Sequence, residues 1–248
     1  LLFYRFDQMG KDAIVQLPCF SFLDFFMIIS FASSKGGVGK STICAAIGAR
    51  LAQRGEEVLI LDLDQNRTVE RWGRKAKIAG LTVKAIERDS FTSVIREAAL
   101  LNSADHILID LAGAREATVL KAIARSDLVV IPAQASEPDL REALVVVSDI
   151  KDTAEEKGTA IPYRLLLTKM PALRTRVTDF AYQELARQSL PIFRTVMVER
   201  VAYREMFLTG LPPETASGAG AEIAALAAEM EEIVKAGRVP DASRVAAG

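Results

Sequence analysis

One histidine and two cysteines are all that this 248-residue chain offers of the side chains that most often hold transition metals. Cys19 and Cys44 stand far apart with no metal-ligand spacing, so neither a disulfide framework nor a zinc site is expected, and a reducing cytoplasm fits. Cys44 falls at an apolar helix start and reads as a small core residue. His106 opens an apolar run with no base-and-nucleophile set around it, and it reads as structural. Excess charge is lacking too: 31 Lys and Arg against 32 Asp and Glu leave a net charge of -1. Any nucleic-acid contact must therefore come from a local patch. With 50% of residues apolar and 25% charged, general disorder is excluded, and the length suits one large domain.

A membrane span is also missing. The run "AIVQLPCFSFLDFFMIISFA" has nearly the length of one, but Gln16, Pro18 and Asp24 interrupt it, and its last third is needed as a buried strand. No basic segment followed by a small-residue cleavage site is present. Residues 1–26 read as an N-terminal extension, non-native or disordered, ahead of a single domain over 27–248.

From Met27 onward, short apolar runs alternate with longer amphipathic stretches. The runs are "MIISFAS", "EVLILDLD", "LTVKAI", "DHILIDLA", "DLVVIPAQ" and "YRLLLTKM", each read as apolar on both faces and so as a strand of a parallel sheet. Between them lie helical patterns such as "STICAAIGARLAQRG", "SFTSVIREAALLNSA", "EPDLREALVVVSDIKDTAEEKG" and "VTDFAYQELARQS". The alternation predicts an α/β fold, a doubly wound and mostly parallel sheet with helices on both faces. After the breaker "GLPPETASGAG", a last helix is expected from about Ala221 to Ala236, acidic and alanine-rich, without membrane-binding character.

Ligands on such a sheet sit at the carboxyl ends of the strands. The first strand runs into "SSKGGVGKST", a near match to the phosphate-binding pattern with Ser34 where its first glycine belongs. Gly36, Gly37, Val38 and Gly39 would close backbone N–H groups round phosphate oxygens. Lys40 would reach the β and γ phosphates, and the hydroxyl of Ser41, followed by Thr42, would ligate Mg²⁺. The second strand ends in Asp62 and Asp64, which share a face, and the fourth in Asp110. A metal-bound triphosphate needs such carboxylates for metal-bound waters and for the attacking water.

The loop "KGGVGKST" resembles the deviant Walker A motif of the ParA/MinD superfamily, in which a lysine at the loop's start reaches the nucleotide held by a partner subunit. The resemblance covers Met27 to about Ala236. It gives Lys35 a role in trans and implies ATP with Mg²⁺, and a homodimer in the ATP state. By the same likeness Asp62 supports the metal, Asp64 positions the water and Asp110 occupies the Walker B position. Gln65 and Asn66 replace the family's usual Pro-Gln, and with Trp72 they resemble the branch holding VirC-type proteins and small plasmid ParA proteins. Gly113 gives a turn like the family's second switch, without the usual proline pair. Thr168 and Lys169 take the place of the family's base contacts, and adenine follows from the family alone.

The likeness implies an ATPase that binds DNA non-specifically when loaded with ATP. It would partition a plasmid or chromosome, or position a DNA-transfer complex, near the nucleoid. A small ParB-like DNA-binding partner would stimulate hydrolysis. Arg174, Arg176, Arg187, Arg194, Arg200 and Arg204 are the candidate DNA contacts, in a segment with four more basic than acidic residues. Arg67, Arg71, Arg74, Lys75 and Lys77 form a second basic cluster, and "ERVAYREMFLTGLPP" resembles the segment where relatives bind DNA. Two alternatives remain: a MinD-like membrane-positioning ATPase, which would end in a basic amphipathic helix, and an ATP-dependent ligase of dethiobiotin or cobyrinate type. A nitrogenase-iron-protein reading fails because only Cys44 lies in the core domain.

Overall fold

The computed structural model describes residues 26–238 except 102, 114, 115 and 174. Of the expected extension only Phe26 is described. It is buried, and its carbonyl accepts from Arg238, so it belongs to the domain.

Six strands form one parallel sheet: β1 (Met27–Phe31), β2 (Val58–Asp62), β3 (Leu81–Ala85), β4 (His106–Asp110), β5 (Leu128–Ala133) and β6 (Tyr163–Leu167). Their order is β3-β2-β4-β1-β5-β6, which leaves the first strand central and flanked by β4 and β5. The helices are α1 (Lys40–Gln53), α2 (Thr68–Ala76), α3 (Phe91–Leu101), α4 (Ala117–Ile123), α5 (Glu137–Lys157), α6 (Arg176–Arg187), α7 (Val201–Thr209) and α8 (Gly218–Arg238).

Two apolar cores follow from the period of two along the strands. Ile28, Leu59, Leu61, Ile107, Ile109, Val129, Ile131 and Leu165 face α3 to α6. Their neighbours Ile29, Phe31, Val58, Ile60, Leu108, Val130 and Leu166 face α1, α2, α7 and α8. Each such side chain taken from water contributes roughly 1.5–3 kcal/mol, so the alternation fixes which helices lie on which side.

Two readings of the sequence are corrected. Strand β3 is not buried on both faces: it is a sheet edge, and Thr82 and Lys84 are exposed. The last helix begins earlier than Ala221, because the Ser217 hydroxyl accepts the Gly220 N–H and caps it, drawing the supposed breaker glycines into its first turn. Gly220 is required there, since a Cβ would lie 2.2 Å from the Glu214 carbonyl oxygen. Helices α2, α4 and α7 were not among the amphipathic stretches singled out from the sequence. Each spans at most nine residues. Among the described residues no helix is long and apolar enough to cross a membrane. Cys44 is a free, fully buried core residue, and Cys19 lies outside the described residues.

Candidate functional site

The ends of β1, β4 and β2 stand at one level, for Phe31 pairs with Asp110 and Asp110 with Asp62. The loop leaving β1 therefore passes directly beside both carboxylates. Gly37 (φ 79°) and Gly39 (φ 97°) take left-handed backbone that other residues resist. Gly39 opens α1 with no side-chain cap and no acidic residue in the first turn, so the helix's leading N–H groups stay available to an anion. Three hydroxyls hold this loop: Ser33 donates to the Lys35 carbonyl (2.9 Å), Ser34 to the Glu142 carbonyl of α5 (2.9 Å) and Thr168 to the Val38 carbonyl (2.8 Å).

Lys40 is buried, and its ammonium lies 3.0 Å from Asp110 Oδ1 and 3.6 Å from Asp64 Oδ2. Burial pushes the Asp110 carboxyl up to about 6, against the pull of Lys40 and Ser41 beside it. Its Oδ2 is buried without a partner. An orphaned acceptor beside a serine hydroxyl and a second carboxylate fits Mg²⁺ arriving with phosphate oxygens and its own waters. Among the described residues no cluster of three or more His, Cys, Asp or Glu is arranged to hold a metal.

Asp62 is placed differently from Asp110. Its Oδ2 accepts the N–H groups of Val69 and Glu70, both at 3.0 Å, and its Oδ1 accepts that of Asp64 at 3.0 Å. It thus caps α2 from outside the helix, a service that Arg67 in left-handed backbone (φ 47°) does not supply. Burial raises its carboxyl above the ordinary range, against these backbone donors. Three of its roughly four acceptor sites are thereby used, which leaves one for a metal-bound water.

Lys35 turns to α5, where its ammonium meets Asp139 Oδ1 at 2.7 Å. The sequence reading missed Asp139 and Ser136, although "SEPD" carries the signal: a capping serine, then proline and acids in a first helical turn. Lys35, residues 36–42, Asp64, Thr168 and Lys169 line one cleft of about 410 Å³. The Thr168 hydroxyl is committed to the loop, whereas Lys169 stands exposed in strained left-handed backbone (φ 49°) at the rim. Gly113 lies against the loop, 3.6 Å from the Ser33 carbonyl oxygen to its would-be Cβ.

The remaining wall includes Met197, Val198, Glu199, Arg200, Tyr203 and Arg204, so two of the candidate DNA contacts line this cleft. The others do not form one patch. Arg176 and Arg187 lie on α6, with Arg187 paired to Glu184, while Arg194 pairs with Glu232 of α8 on the opposite face of the sheet. Arg174 lies outside the described residues. In the second cluster Arg71, Arg74, Lys75 and Lys77 are exposed on α2 or just after it; Arg74 pairs with Glu70, Arg67 with Glu87, and Lys75 donates to the Phe207 carbonyl of α7 (3.1 Å). His106 sits at the far end of β4 and pairs with Glu56.

Comparison with known proteins agrees with this geometry. The VirC1 protein family matches residues 26–228. Protein virC1 of Rhizobium rhizogenes is 30% identical over 189 residues, covering 74% of this chain and 81% of its own. Protein ParA of Rhizobium radiobacter is 28% identical over 189 residues, with 74% and 83% covered. Among solved structures, a plasmid partition protein from Borrelia burgdorferi B31 bound to AMPPNP is similar with a TM-score of 0.67 at 19% identity, over 84% of this chain and 99% of that one. The family match runs through the phosphate loop, both carboxylate-bearing strand ends and the first half of the last helix, and the chain belongs to the VirC1 family within the ParA/MinD superfamily of P-loop ATPases.

Proposed function

We propose that the chain hydrolyses ATP, dimerises in its ATP state, and in that state binds DNA without sequence preference to partition a replicon or position a DNA-transfer complex. The observation that carries this reading is the convergence of two lysines, Lys35 and Lys40, with Ser41 and Asp64 on one cleft, and with Asp110 buried behind it against Lys40. Two cations and a row of free N–H groups suit a polyphosphate, and the carboxylates suit its magnesium ion.

In this reading Lys40 leaves Asp110 and Asp64 for the β and γ phosphates, and Ser41 and Asp110 are the residues that would hold Mg²⁺. The metal supplies charge neutralisation at the phosphates. Asp64, released from Lys40 and partly exposed, orients the attacking water. Asp62 acts on the metal only through the water network, because its oxygens serve α2. Lys35 exchanges Asp139 for a phosphate held by a second subunit. DNA contact falls mainly to the α2 cluster, and a small DNA-binding partner accelerates hydrolysis.

The test is light scattering and phosphate release with Mg-ATP, Mg-ADP and no nucleotide, alongside DNA binding over a salt series. Dimerisation and salt-sensitive DNA binding only with ATP are expected. Lys35→Ala should stay monomeric, and Asp64→Ala should dimerise but hydrolyse poorly. DNA binding that ignores nucleotide would refute the switch.

A further inference from the structure

We infer that Glu222, on the first turns of α8, is a positioning residue that sets the nucleoside half of the cleft. The inference rests on the nucleotide-site reading. The loop with its lysines accounts for the anionic part of a ligand, but the cleft is about 410 Å³, a size that takes a whole small molecule. Its remaining wall includes Met197, Val198, Glu199, Arg200, Tyr203 and Arg204, and the thioether, aromatic and guanidinium surface of Met197, Tyr203 and Arg200 is the chemistry that receives a planar ring.

That wall is held by one carboxylate. Glu222 Oε1 accepts from Arg200 Nε (2.8 Å) and Nη2 (2.6 Å), while Oε2 accepts from the Tyr203 hydroxyl (2.8 Å) and the Val198 N–H (3.2 Å). Both oxygens are fully used by three groups of the wall and by nothing else in the structure described. The fit is close on the helix side as well: a Cβ on Gly218 would lie 3.0 Å from the Arg200 guanidinium carbon, so the helix start lies flat against that group. Arg200 is thereby neutralised and aimed, which removes it from the cations free for DNA. The last helix, packed on α1 directly behind the phosphate loop, is in this way tied to both ends of the ligand.

Calorimetric titration of the full chain with Mg-ATP and with inorganic tripolyphosphate separates a positioning role from a merely structural one. Glu222→Ala should weaken ATP about tenfold, the size expected for losing charge-assisted bonds that hold a contact surface. Tripolyphosphate binding should be unchanged or tighter, because the freed Arg200 adds a cation. Glu222→Gln, which keeps an acceptor for Arg200, should recover most of the ATP affinity. Tyr203→Phe removes a single donor with little risk to folding, and it should weaken ATP about threefold with tripolyphosphate unchanged. Equal losses for both ligands in Glu222→Ala, or ATP affinity unchanged in Tyr203→Phe, would overturn the inference while leaving the nucleotide site intact. A wild-type chain that binds neither ligand, as Lys40→Ala should, would overturn both.

Discussion

The Lys35 ammonium lies 2.7 Å from the Asp139 carboxylate within one subunit, although the two residues are 104 positions apart. Burial alone would raise the Asp139 carboxyl, but hydrogen bonds from Lys35 and the Ser136 hydroxyl outweigh it and hold the group below the usual carboxylate range. Lys35 itself is about half exposed, so solvent screens the pair to roughly 1 kcal/mol. A contact this weak can be exchanged for a phosphate. Asp139→Asn should therefore free Lys35, and the Mg-ATP concentration giving half-maximal dimer should fall about fivefold in light scattering. An unchanged midpoint would mean that the pair does not compete with assembly.

Asp110 carries a pH prediction for the ligand-free chain. Its carboxyl is raised by burial from 3.8 to about 6, so the folded form holds this proton more tightly than the unfolded one. The associated stability is complete below about pH 3.8 and is lost as the pH rises through 6. Asp110→Asn keeps the shape, cannot ionise, and leaves Lys40 with Asp64. Its melting temperature should match wild type near pH 4 and exceed it at pH 7.5, by at most about 3 kcal/mol of stability. Adding Mg-ATP should reverse that order, since only the wild type offers a carboxylate. Parallel melting curves across this range would show that Lys40 already cancels the burial.

Thr168→Val tests the anchor beneath the phosphate loop. The substitution leaves the Val38 carbonyl without its 2.8 Å donor in a buried place, at a cost of about 1–3 kcal/mol. The loop should lose order along with the fold, so KM for ATP should rise while kcat changes little. A fall in kcat at constant KM would place Thr168 in the chemistry instead.

Asp62→Ala separates helix capping from metal support. Three N–H groups lose their acceptor, and chemical denaturation without nucleotide or metal should register about 2 kcal/mol of destabilisation. Unaltered stability with a loss confined to magnesium dependence would put the metal role ahead of the capping role.

Much of this molecule is legible in its sequence. The strands announce themselves because residues buried on a sheet must be apolar, and the phosphate loop because glycine and lysine at fixed offsets have few other uses. Helix α5 was expected to run from Glu137 to Gly158, and it ends at Lys157 with Gly158 as its left-handed cap. What stayed hidden depends on pairing across long stretches of chain. Nothing local to Arg200 says that Glu222 neutralises it, so a count of basic residues assigns it to DNA. Asp62 is similar: its place at a strand end is written in the sequence, but its commitment to α2 depends on how residues 63–67 turn back. Charge counted along the chain also ignores the sheet, which puts Arg187 and Arg194 on opposite sides.

The level pairing of Asp62 with Asp110 has a consequence for tolerance to change. Insertion or deletion of a single residue within β2 or β4 would turn Leu61 or Ile109 toward the wrong layer and swing the neighbouring acid into hydrocarbon. Solubility and catalysis would then fail together, so surviving length variation should be confined to the connecting loops on the opposite rim.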